Sequence, residues 1–184
     1  MNIFWLDTNL EKCAKYHCDK HVVKMIVEYT QLLSSSSRQL GIQQGYKLSH
    51  QKHPDTLWLM ESGDNWHCLK SLTYWLHEEY RHRYGKVHKS YLVCQSLINP
   101  HGGTYRSEKL DISVPPQCMP EVYKCPDVVL AYRNYYIGDK ARFATWKNRE
   151  IPPWFNYNGE LLLSEFKDIS NRELSERIKA NRYH

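Results

Sequence analysis

His21, Lys24, Glu28 and Gln31 lie three, four and three residues apart, the interval at which side chains share one face of a helix. An imidazole, an amine and a carboxylate on one strip can bind anions and move protons. Desolvating such a strip shifts pKa values toward that work. Its surroundings are strongly apolar. Val22, Ile26, Tyr29 and Leu33 form one stripe, and Val23, Met25 and Leu32 flank it. A helix from Asp19 to about Leu40 is therefore expected to be mostly buried, its polar arc facing a cleft or partner groups. The same spacing also fits an ion-paired, solvated helix face.

The elements that position this strip follow from local signals. Asn2 to Leu6 reads as a short apolar segment tucked into the core. Thr8-Asn-Leu-Glu11 has the capping-box pattern and starts a short helix reaching about Tyr16. Asp19 is the expected cap of the central helix, and Gly41 its stop. Four serines at 34–37 weaken its last turns. A polar loop over 41–53 ends in His53-Pro54, and Pro54 suits the first turn of a helix reaching Glu61. Asp64 or Asn65 begins a longer helix with Leu69, Leu72, Leu76 and Tyr80 at helical spacing, ended by Gly85. Further helices are expected over His88–Ile98, Asp127–Ile137 and Asp139–Asn148. Between them, 99–126 reads as a long irregular loop. A charged helix is expected from Ser170 to about Asn181. No stretch alternates with period two. The fold class is all-α: a single compact helical domain around the central helix, with a helical domain over 1–155 and a C-terminal extension with a charged helix over 156–184.

The totals agree with one domain. The chain has 184 residues, a net charge of +5, fourteen tyrosines and six tryptophans. That mild basicity suits nucleic acid without being histone-like. Six cysteines without a regular framework read as reduced thiols. No membrane-length apolar run or signal peptide is evident, so a cytoplasmic protein is expected.

Other chemistries find little support. His17 and His21 are four apart but complete no metal-ligand spacing, and no metal or other cofactor is expected. There is no nucleophile elbow and no phosphate-cradling loop. Two clusters do point to nucleic acid. Arg81, Arg83 and Lys86 lie in one. Arg133, Arg142, Lys147 and Arg149 interleave with Trp146 and other aromatics in the second. Cations grip phosphates while aromatic faces stack on bases. Core aromatics with solvated cations would give the same composition.

Three stretches carry a family resemblance. They are the opening Asn-Ile-Phe-Trp-Leu-Asp, His-Cys-Asp-Lys-His-Val-Val-Lys-Met, and the Pro-Trp near residue 154. Together they resemble a family of tailed-phage proteins. Residues 1–90 distantly resemble pyrimidine-dimer DNA glycosylases of the phage endonuclease V type. Asp19, His21 and Glu28 match that family's Asp-x-His and, seven residues after the His, its catalytic Glu. His53-Pro54, Trp58 and Tyr80 to Gly85 sit comparably. The resemblance implies an all-α glycosylase/lyase acting on DNA, in which an α-amine attacks the sugar C1′ and a glutamate moves protons. It places the amine on Met1, or on Asn2 if Met1 is removed. Asn2 departs from the family here, because the nucleophile normally follows on a small residue that permits methionine removal. Lys24, on the Glu28 face, is the alternative nucleophile. A damaged or modified base is the expected target. Action on free nucleotides or modified bases, and non-enzymatic DNA or host binding, are the competing expectations.

Overall fold

Helix α2 (Asp19–Gln39) is the centre of the molecule, seen in a computed structural model that describes residues 1–102 and 112–162. Around it stand α1 (Leu10–Tyr16), α3 (Pro54–Glu61), α4 (Gly63–Tyr84) and α5 (Lys89–Ser96), with α6 (Val128–Tyr135) closing the bundle later in the chain. No strand occurs among the described residues. Val22, Met25, Ile26, Tyr29, Leu32 and Leu33 of α2 are buried, as its nearly all-round apolar pattern requires. No helix is long and apolar enough to cross a membrane.

The N-terminal segment is fully enclosed. Ile3, Phe4, Trp5 and Leu6 are each at most 3% exposed. Burying such side chains contributes about 1.5–3 kcal/mol apiece. The backbone is fixed as well, because the Phe4 N–H donates to the Tyr29 hydroxyl at 2.9 Å.

Helix ends follow local chemistry. The Ser62 hydroxyl accepts the Asn65 N–H at the start of α4, and Gly85 closes that helix in the left-handed region at φ 64°. Asp127 caps α6 by accepting from Val129 and Leu130. Two expected caps move by one residue. Asn9, not Thr8, caps α1. Cys18 occupies the N-cap position of α2, because the Asp19 side chain is engaged elsewhere.

The serines at 34–37 do not loosen α2. All four are buried, and Ser34 and Ser37 bond back to carbonyls one turn earlier. Ser34 and Ser35 also accept the N–H groups of Tyr46 and Ser49, docking the 41–53 loop on a strip of small side chains. Gly45 belongs to this seam, since a Cβ there would collide with Ser34.

The helix expected over 139–148 does not form. Tyr136–Lys140 is a wide π-turn and Ala141–Phe143 a single 3-10 turn. Gly138 lets the Tyr123 ring press on the backbone. The following residues are then drawn to the start of α2, where Thr145 O accepts the Asp19 N–H. The 99–126 segment contains no α-helix among its described residues and holds one 3-10 turn, Glu121–Tyr123. Downstream, the Leu162 N–H bonds Asn134 Oδ1 at 2.8 Å, returning the chain to α6. The helix expected from Ser170 lies outside the described residues.

Candidate active site

The polar face of α2 carries two charged clusters of different kinds. At its first turn, Asp19 accepts Arg83 Nη1 at 2.9 Å, the Thr145 hydroxyl at 2.7 Å and the Lys147 N–H at 3.0 Å. Arg83 also donates to Glu79 at 2.7 Å and to the Lys15 carbonyl at 3.0 Å. Arg149 grips the same Glu79 through two nitrogens, each at 2.9 Å from a carboxylate oxygen. Burial alone raises the Glu79 pKa, but the bond from Arg149 and the charge of Arg83 overcome it, leaving the carboxyl below its usual range. Every charge in this cluster is matched.

Two turns along, the pattern changes. Glu28 pairs with Lys24 at 2.9 Å, and its side chain is 13% exposed against 67% for Lys24. Helix α3 packs against α2. Met1 packs against the core. Asp55, in the first turn of α3, is fully buried, and its Oδ2 has no hydrogen-bond partner. The Cys118 thiol lies 3.7 Å from Asp55 Oδ1, and His53 Nδ1 lies 3.7 Å from Oδ2. His53 is not a counter-ion for this acid. Its Nδ1 accepts the Asp55 N–H, and burial together with the Met1 ammonium lowers its pKa.

Burial pushes the Asp55 carboxyl up to about 7. The Cys118 thiol, the Met1 ammonium and the Ile3 N–H oppose that rise, while the Glu28 charge adds to it. Burial and the neighbouring Asp55 push the Cys118 thiol up to about 12, so it stays protonated. Met1 and Glu28 therefore act on the same two side chains, His53 and Asp55. Among the described residues the Met1 amine makes no direct ion pair with a carboxylate.

His21 stands between the two clusters. Its Nδ1 meets the Tyr136 hydroxyl at 2.5 Å, and the ring packs against Phe4 and Phe143. Burial, helped by His17, Lys140 and Lys24, lowers its pKa to about 2, so the imidazole is neutral. His17 is occupied differently, with Nδ1 on the Cys13 carbonyl at 2.7 Å, and the two do not form a ligand pair.

The basic residues singled out in the sequence divide sharply. Arg83 has a fully buried side chain, and Arg149 is paired with Glu79. Arg133 donates to the Leu6 carbonyl and Asp7. Trp146 is buried and bonds the Tyr16 carbonyl, which removes its ring from solvent. Arg81, Lys86, Arg142 and Lys147 are exposed. Arg142 and Lys20 lie over the Phe143 ring, and Lys147 over Tyr84. Gln31, on the same strip of α2, is half-buried.

His53, Asp55 and Cys118 offer donor atoms all within 4.8 Å of one another, as a soft divalent metal would require. The His53 Nδ1 lone pair is already used by the Asp55 N–H, and the thiol carries its proton. A bound metal would have to displace both.

Sequence reasoning passes over Asp55 and Cys118. His53-Pro54 is visible as a helix start, but nothing local marks the next residue as buried beside Met1. Cys118 reaches it from sixty-three positions away.

Residues 1–92 match the pyrimidine dimer DNA glycosylase family, and with half its length matched the chain belongs to that family. Glycosylases of this family act on DNA, so DNA is the partner. No curated protein and no solved structure matches the chain.

Proposed function

We propose that the protein excises a damaged pyrimidine from DNA by covalent catalysis, with the Met1 α-amine as nucleophile. The reading is supported by the family match over residues 1–92, which includes Glu28, and by the charges of Met1 and Glu28 both bearing on His53 and Asp55. The amine lone pair forms a bond to the sugar C1′ as the bond from C1′ to the base breaks. Glu28, partly desolvated on α2, stabilises the opening sugar and shuttles its protons. Lys24 holds Glu28 from the solvent side, and neutral His21 is suited to orient sugar or phosphate by hydrogen bonding. A target base cannot react inside the stack and must be extruded. Lys20, Arg142 and Lys147, each over an aromatic ring, supply a rim for the strand carrying it.

The test is borohydride reduction during turnover on duplex DNA containing a pyrimidine dimer. Amine catalysis passes through an imine, so reduction is expected to leave a stable protein–DNA adduct, mapping to Met1, or to Asn2 if Met1 is removed. Mapping to Lys24 would transfer the role to that residue. Base release without an adduct would replace the amine with water activated by Glu28. Neither release nor adduct, across damaged and modified duplexes, would overturn the glycosylase reading.

A further inference from the structure

A neutral imidazole has one nitrogen that donates and one that accepts, and its neighbours decide which is which. The His21 ring is held among aromatic rings, with centroids at 4.5 Å for Phe4, 5.0 Å for Tyr136 and 5.7 Å for Phe143. Its Nδ1 meets the Tyr136 hydroxyl at 2.5 Å. Among the described residues Nε2 makes no hydrogen bond, yet it is not sealed from solvent. The free nitrogen of an otherwise enclosed ring is therefore open to a ligand.

Tyr136 comes from a distant part of the chain. It is fully buried and opens the wide turn Tyr136–Lys140, an irregularity of a kind frequent at functional sites. Burial keeps its phenol protonated. Besides His21, the polar side chain at that hydroxyl is the Cys18 thiol, a weak acceptor. The phenol proton then points to Nδ1, and the imidazole proton is left on Nε2.

We propose that Tyr136 is a positioning residue for His21, its O–H fixing the tautomer in which Nε2–H donates to a sugar or phosphate oxygen of the damaged nucleotide. This rests on the glycosylase reading of the preceding section. The benefit is preorganisation. A ring free to choose its tautomer would spend part of its time turning a lone pair toward an oxygen that can only accept. The Tyr136 hydroxyl removes that repulsive state before the substrate arrives. No proton is transferred, and the enclosed phenol acts on DNA only through the ring.

The experiment uses the whole chain with isotope-labelled histidine, whose ring-nitrogen NMR shifts report the tautomer. Wild-type His21 is expected to show a bare Nδ1 and a protonated Nε2, and Tyr136→Phe a mixture of both tautomers. The second readout is the single-turnover rate of borohydride trapping on dimer-containing duplex. It is measured for wild type, Tyr136→Phe, His21→Ala and the double variant. Tyr136→Phe should slow trapping about tenfold, as the loss of one neutral hydrogen bond implies. The same substitution should cost almost nothing further once His21 is replaced. A protonated Nδ1 in the wild type overturns the proposal, and so do losses that simply add in the double variant, since a structural role at each residue gives that result. Should Tyr136→Phe fold poorly, a fluorotyrosine at position 136 keeps the shape with a more acidic hydroxyl. It should move the Nδ1 resonance, and an unmoved resonance counts against the pair. No wild-type adduct, with Nε2 protonated as expected, would sink the amine reading and leave the Tyr136–His21 assignment standing.

Discussion

Helix α2 carries two charged clusters a few turns apart, and they differ in how completely their polar groups are satisfied. Around Asp19, both carboxylates and all three guanidinium nitrogens of Arg83 have found partners, and Arg83 is buried without strain on the charge balance. Around Glu28, a buried carboxyl oxygen is left bare, a thiol stays protonated, and an imidazole is held neutral. Charge alone does not separate structure from chemistry here. Saturation does. A fully matched network fixes geometry, whereas an unmatched buried acid retains free energy that a substrate or a proton can use.

The largest expected effect falls on the unsaturated side. Glu28→Gln keeps size and helix propensity while removing the charge, and turnover on dimer-containing DNA should fall by about 10²–10⁴-fold. The melting temperature should stay close to wild type. Near-normal turnover would remove Glu28 from the mechanism and break the contrast at its functional end.

Arg83→Met should behave in the opposite way. Removing one partner of a buried ion network typically costs about 3–5 kcal/mol. In a chain of this size that lowers the melting temperature by roughly 6–20 °C. Met fills much of the volume, so the loss reports the orphaned Asp19 and Glu79 rather than a cavity. Thermal unfolding followed by circular dichroism measures it, and an unshifted midpoint would show that the network is not what anchors α4 and the 144–149 segment to α2.

The two buried acids should also respond to pH with opposite signs. The Glu79 carboxyl is held below its usual range, so its stabilisation is present above the unfolded value near 4.5 and is lost as pH falls through the folded one. Asp55 is held at about 7 against an ordinary 3.8, so it costs nothing at low pH and destabilises increasingly as pH rises toward 7. That shift corresponds to a cost on the order of 4 kcal/mol at pH 8. Asp55→Asn removes it but leaves a buried amide imperfectly bonded, at about 1–3 kcal/mol. A net gain of about 1–3 kcal/mol is expected at pH 8, and none at pH 4.5. Melting temperatures at the two pH values decide it. A gain independent of pH would mean that Asp55 does not titrate abnormally.

How far the sequence foretold this contrast depends on the range of each interaction. The central helix was legible because its apolar residues recur at helical spacing over many turns, and Gly85 and Pro54 mark helix ends by their own backbone chemistry. The enclosed segment over 2–6 was legible from its run of large apolar side chains. The broken helix after Gly138 was not, because Thr145, Trp146 and Lys147 prefer bonds to α1 and α2 that lie far away in sequence. The strip of His21, Lys24 and Glu28 could be proposed from spacing, but which charges are matched could not. Arg83 and Arg149 resemble phosphate ligands in the sequence, and only the fold puts Glu79 between them. Asp55 had no signal at all, since its burial comes from the chain's own first residues and a loop more than sixty positions downstream.

The smallest expected effect concerns the cations that remain. Arg142 and Lys147 are exposed, and each stands over an aromatic ring rather than a carboxylate, so their charge is available to a phosphate. Arg149 stands only a few residues away but is held by Glu79 through two nitrogens. Reversing Arg142 or Lys147 to Glu should weaken DNA binding about tenfold each at low salt. It should also flatten the dependence of log K on log salt by roughly 0.9 for each phosphate no longer neutralised. Arg149→Ala should leave that slope unchanged and instead lower the melting temperature, because its charge is neutralised inside the protein. Binding isotherms at several salt concentrations distinguish the two behaviours. An unchanged slope for the Arg142 and Lys147 reversals would take both off the DNA path. A flattened slope for Arg149→Ala would show that its bond to Glu79 opens when DNA binds, and the division between matched and available charge would then fail at this position.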